Sequence, residues 1–182
     1  MLFRSLGLIS SDAQVSGSAN GWNYAIGVAS ERSTGFNARS NSSATRRASD
    51  SDGYRSASGS ASLGYRINAQ HQLQASVSSQ HLNGQYDASA TSNVDDRSIH
   101  DLDASSLSWV AQWLPNWRST ISAGQSIDRY ETRPSAYVTR TEVQSASWAN
   151  EIKFGHQLVR AVIEGRQDRL LNSSVSANQD AH

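Results

Sequence analysis

The chain has 182 residues, no cysteine and a formal net charge of zero, with 37% apolar and 18% charged side chains and a mean hydropathy of −0.56. That length suits one domain, and the missing cysteines exclude disulfides, thiol catalysis and thiolate metal sites. The even charge balance shows no basic stripe, which argues against a nucleic-acid partner.

The N-terminal stretch is broken by Arg4 and is too short in apolar residues for a signal-peptide core. Residues 1–11 are therefore expected to be a non-native or disordered start. No run approaches the roughly 18 apolar residues of a membrane-crossing helix. The dominant pattern is instead a two-residue alternation of apolar and polar side chains, which makes a strand with two unlike faces. It returns in eight strand-length runs.

The first run, 12–18, places Ala13, Val15 and Gly17 on one face and turns at Asn20-Gly21, a strong hairpin signal. The second, 22–32, places Trp22, Tyr24, Ile26 and Val28 on one face, and it leads into a long polar stretch over 33–55. The third, 56–67, carries Ala57, Gly59, Ala61, Leu63 and Tyr65 against a row of serines, and the short 68–71 turn returns it into 72–81. A second long polar connection spans 82–103. The fifth run, 104–114, carries Leu107, Trp109, Ala111 and Trp113 on one parity and turns at Pro115-Asn116 into 117–130. A third long connection is expected over 131–141, then a strand at 142–154, a Gly155-His156 turn, a strand at 157–168 and a polar tail over 169–182.

Charge respects the alternation. Glu31, Arg66, Arg118, Asp128, Glu151, Lys153, Arg160, Glu164 and Arg166 all fall on the polar parity. A lipid-facing wall demands this, because Arg or Lys at the bilayer midplane costs about 2–4 kcal/mol. Connections that alternate short and long match the two ends of an outer-membrane barrel. Tyr65, Trp113, Trp117 and Phe154 near the short turns, with Tyr54, Tyr86 and Tyr130 near the long loops, match its two aromatic girdles. The fold class read from these features is all-β, an antiparallel up-and-down transmembrane barrel. The alternatives are a self-contained eight-stranded barrel with a structural or adhesive role and an exported soluble β-sandwich acting as a binding module. With the short turns on the periplasmic side, both chain ends lie outside, so residues 12–168 are expected to be an internal piece of a larger barrel.

Two loop segments, Ser33-Thr-Gly-Phe-Asn-Ala38 and Asp50-Ser-Asp-Gly-Tyr54, resemble TonB-dependent outer-membrane receptors. The stretch QHLNGQYDAS at 80–89 and the run from Ser147 to His156 resemble the cobalamin receptor branch of that family. The resemblance implies a barrel of about 22 strands enclosing a plug. It also implies capture of a scarce ligand, cobalamin, at the outer face of the bacterial outer membrane. Energy would reach the plug from the inner-membrane TonB system. These residues contain no plug, so the chain is expected to supply wall and loops, embedded in outer-membrane lipid, with no catalytic role and no required cofactor.

The resemblance also implies a structural calcium ion on aspartates of neighbouring loops, which correspond here to Asp50, Asp52 and Asp87. Ca²⁺ gathers about 6–8 oxygens and so ties loops together, and Asp95 and Asp96 are alternative ligands. Ordinary solvated loop acids are the competing reading. Tyr86 is either a ligand contact or a girdle aromatic. The five histidines show no metal-ligand spacing, and no Gly-x-Ser-x-Gly elbow occurs. The inward acids Glu151, Glu164 and Asp128 are expected to pair with Lys153, Arg160, Arg166 and Arg118.

Overall fold

The computed structural model describes residues 7–37, 51–89, 94–174 and 179–181. They form one antiparallel sheet whose strand order is the order of the chain. The strands are β1 (Ile9–Ala19), β2 (Trp22–Phe36), β3 (Asp52–Arg66), β4 (His71–Tyr86), β5 (Asp96–Leu114), β6 (Trp117–Arg133), β7 (Tyr137–Phe154), β8 (Gln157–Asn172) and the short β9 (Gln179–Ala181). β1 and β9 are the two edges, so the described strands do not close into a barrel.

At one end the connections are tight. Asn20 and Gly21, at φ 51° and 84°, make the first turn, where both central residues need the left-handed region. At the other end the strands run further than their polarity suggests. β4 reaches Tyr86 and β5 starts at Asp96, which shortens the second long connection. The third is a correction: residues 131–141 are not a loop but the tip of the β6–β7 hairpin, closed by three turn residues at 134–136. A strand with two polar faces pairs through its backbone without alternation, so Thr139, Arg140 and Thr141 extend a ladder although they read as loop. For the same reason β8 continues to Asn172, and β9 pairs with it where a loose tail was expected. Ile9, Ser10 and Ser11, in the stretch expected to be disordered, pair with Arg32, Glu31 and Ser30.

The sheet has almost no core. Ala111 is its one buried apolar residue among those described, while Trp22, Ile26, Leu107, Ile121, Trp148 and Ile163 are each more than 40% exposed. A soluble sandwich covers such a face with a second sheet about 10 Å away, and every described strand lies in this single layer. Left in water, the outer face would forgo roughly 1.5–3 kcal/mol for each large side chain. An apolar environment, such as hydrocarbon, removes this cost.

The register measures the apolar belt. Trp22, Tyr65, Leu73, Trp109, Ile121, Trp148 and Ile163 are joined by successive pairings into one outward row. From the lowest aromatic or apolar residue to the first outward charge, β2 runs Trp22 to Arg32, β5 Trp113 to Asp103, β6 Trp117 to Arg129 and β7 Phe154 to Glu142. Each span is about 10–12 residues, the length a tilted strand needs to cross a bilayer. The belt also slides by about four to six positions between β2 and β7. At about 3.3 Å per residue and about 4.8 Å between strands, that slip corresponds to a tilt of roughly 30–40°, in the range of membrane barrels.

Candidate functional site

The belt separates the wall into three zones: an aromatic foot at the tight turns, a polar inner face, and a rim beyond the belt. At the foot, the Trp113 indole donates to Ser119 Oγ at 2.8 Å, and Ser119 donates to Asn150 Oδ1 at 2.5 Å. The Trp117 indole reaches the same Asn150 oxygen at 3.2 Å. His71 stacks on Trp109 with centroids 5.6 Å apart. The Trp113 and Trp117 rings keep their N–H groups bonded while their bodies face outward, which suits a membrane interface. The lower girdle is therefore as expected.

The upper girdle is not. Tyr54, Tyr86 and Tyr130 stand near the loops, but the register puts them on the polar inner face. Tyr54 pairs with Gly84 in the row that includes Ser98 and Thr132, and Tyr130 pairs with His100. Parity shows this once it is carried past the strand ends, because Tyr86 shares the parity of Gln72 and Gln74. A girdle role for Tyr86 is thus corrected, and the side it faces is the one a lumenal ligand would meet.

Together these tyrosines line the inner rim. The Tyr54 hydroxyl donates to Glu31, which holds its phenol above the ordinary range. Burial raises Tyr86, with the Asp96 carboxylate and Tyr130 adding to the shift. His100 Nε2 lies 2.6 Å from Asp128 Oδ1, and the imidazole meets the Tyr130 ring edge-on at 6.1 Å. Tyr137, which the alternation did not single out, accepts a hydrogen bond from Asn172 Nδ2 at 2.9 Å. Below the rim the inner face forms a trough of about 720 Å³ lined by Ser58, Ser78, Gln80, Leu102, Ser126 and Asp128. Elsewhere on the same face serines bond across strands, Ser76 to Ser106 at 2.7 Å and Ser122 to Ser147 at 2.8 Å. Small side chains leave this face open for another layer or a solute.

The inward charges pair only partly as expected. Arg160 lies 3.6 Å from Glu151, but Arg166 bonds Asp168 at 2.8 Å, and Asp128 takes His100 in place of an arginine. Of the expected calcium ligands, Asp50 lies outside the described residues. Asp52 opens β3 and Asp87 stands just past β4, so antiparallel pairing brings both to the same rim. Asp87 Oδ2 is buried and receives no hydrogen bond. Asp96 is committed elsewhere, accepting from the Ala88 amide at 3.1 Å. Among the described residues, no three His, Asp or Glu side chains are grouped to hold a metal ion.

No family model matches the chain. No curated protein matches it either. Among solved structures it is similar to BauA, the ferric preacinetobactin receptor from Acinetobacter baumannii, with a TM-score of 0.60 and 8% sequence identity. The match covers 95% of this chain and 36% of that one, so the chain spans about a third of that receptor's length. At this identity the likeness establishes the fold: a receptor-like antiparallel β wall.

Proposed function

We propose that the chain is a wall segment of a TonB-dependent receptor in the bacterial outer membrane, which captures a scarce ligand at its loop end for import. The observation that carries this reading is the slanted belt, about 10–12 residues long on each strand measured, whose outward positions carry no charge, on a sheet that leaves two edges open. Unpaired edge groups cost several kcal/mol each in hydrocarbon, so a wall of this kind requires further strands. The likeness to a third of a ferric-chelate receptor supports a large barrel over a small one. A plug contacting the TonB system would then lie against the serine-lined inner face.

The ligand we assign is cobalamin, on the resemblance at 80–89 and 147–156. A ferric chelate is the second reading, favoured by the structural neighbour. Equilibrium binding to the intact parent receptor separates them: cobalamin binding that strengthens with Ca²⁺ supports the first, and binding of a ferric chelate without cobalamin affinity replaces it. If Asp52 and Asp87 help to hold calcium, Asp52→Asn with Asp87→Asn abolishes the calcium dependence and leaves residual ligand binding. A chain that remains in the soluble fraction, and not in detergent extracts of outer membranes, defeats the membrane reading altogether.

A further inference from the structure

Beyond the belt, the outer face carries arginines in directly opposed cross-strand pairs. Arg32 pairs with Arg55, Arg97 with Arg133 and Arg129 with Arg140. Like charges directly opposite each other destabilise a sheet, because their Cβ atoms stand only about 4.5–5.5 Å apart. Three of these six arginines, Arg129, Arg133 and Arg140, have a counter-charge beside them. Glu131 bridges Arg129 and Arg133, Asp101 lies 3.4 Å from Arg129, and Glu142 binds Arg140 at 2.5 Å. Arg32, Arg55 and Arg97 have no ion-pair partner among the described residues.

The two uncompensated arginines of β3 and β5 share a recess. Arg55 and Arg97 line a cavity of about 530 Å³ together with Asn83, Gln85, Gly53 and Thr34. Gln85 Oε1 accepts from the Gly53 amide at 3.3 Å, which leaves its NH₂ as a donor. Asn83 Oδ1 is buried with no donor in reach, and turning that amide presents a second NH₂. Two guanidinium forks and two amides are the donor set that a phosphate accepts. Arg32 and Arg55 both lie ten residues along their strands from the foot aromatics Trp22 and Tyr65. At the tilt of the belt, this places them at its top, about 25–30 Å from the foot, where headgroups begin.

We infer that this recess is a lipid site on the outer wall, which takes the phosphate of an anionic outer-leaflet headgroup between Arg55 and Arg97, with Arg32 beside it. The inference rests on the membrane reading of the wall and not on ligand import. The outward direction of all three arginines, with Arg32 and Arg55 at the top of the belt, selects a lipid over a free anion.

The test uses the intact parent receptor inserted into phosphatidylcholine vesicles that contain lipid A with both phosphates, or the same lipid stripped of phosphate. Insertion is monitored separately by protease protection, so a failure to insert strikes the membrane reading and leaves this inference distinguishable. Phosphorylated lipid A should be retained on extraction, and the Arg55→Gln, Arg97→Gln pair should lower retention at least about tenfold. Arg55→Lys with Arg97→Lys should retain an intermediate amount, since charge remains without the fork. Arg160→Gln, on the inner face, should leave retention unchanged. Equal retention of the stripped lipid, equal retention by the glutamine variant, or displacement by inorganic phosphate at comparable concentration would each overturn the assignment.

Discussion

Gly35 shows how narrowly a single residue can be constrained. It sits at φ +67° where β2 shifts register between Ser33 and Phe36, and a Cβ there would meet the Asp52 carbonyl oxygen at 1.7 Å. Gly35→Ala should therefore separate the ends of β2 and β3, seen as faster amide exchange of residues 33–36 with the belt unaffected. Glu131 makes the electrostatic case. Hydrogen bonds from Arg133 and then Arg129 hold its carboxyl below the ordinary value of 4.5. A depressed carboxylate contributes stability that is fully present above its unfolded value and lost as pH falls through its folded one. The rim around β5 and β6 should thus loosen only under acid, and an NMR titration of Glu131 should give a midpoint below 4.5. Glu131→Gln should remove this pH dependence and loosen the rim at neutral pH, where two arginines lose their counter-charge.

At the scale of a strand, the two faces of β6 should answer the same substitution differently. Ala123 faces outward in the belt, between Leu107 and Ala146, whereas Ser122 faces the serine-lined interior. Ala123→Arg should cost about 2–4 kcal/mol near the midplane, measured by denaturant titration of the barrel in lipid. Ser122→Arg, toward water, should cost little. Equal costs would mean that the outer face does not meet hydrocarbon. The β6–β7 hairpin carries a second expectation. Because residues 131–133 and 137–141 are paired strand and not loop, protease should cut at 134–136 and spare the flanking residues. Alternation made the strand centres legible, since each has one apolar and one polar face. It could not locate these tips, because outside the belt polar side chains carry no preference for one face.

Over the whole molecule, the open edges govern assembly. β1 presents an unpaired edge along 11 residues, and hydrocarbon offers its backbone groups no partner. The isolated chain in detergent should therefore associate through its edges or fray, whereas the same segment within a longer barrel should resist exchange. Size-exclusion profiles and amide exchange of β1 in the two settings check this. A stable monomer with a protected β1 would argue for closure by the chain itself.

The amino-acid sequence by itself determined the strand centres, the inner and outer parity, the lower aromatic girdle and the absence of charge in the belt. All of these arise from a period of two that gives each strand one apolar and one polar face. The direction of the upper tyrosines was also within its reach, since parity continues through the strand ends. Only the tertiary structure decided how far the strands extend and how the belt slants across the sheet. It also decided which charges stand opposite one another. Each of these depends on register, which joins residues distant in the chain: Arg32 with Arg55, Tyr86 with Asp96, and Arg129 with Arg140. Alternation assigns a face to each residue, but the neighbour it meets there is chosen by the adjoining strand.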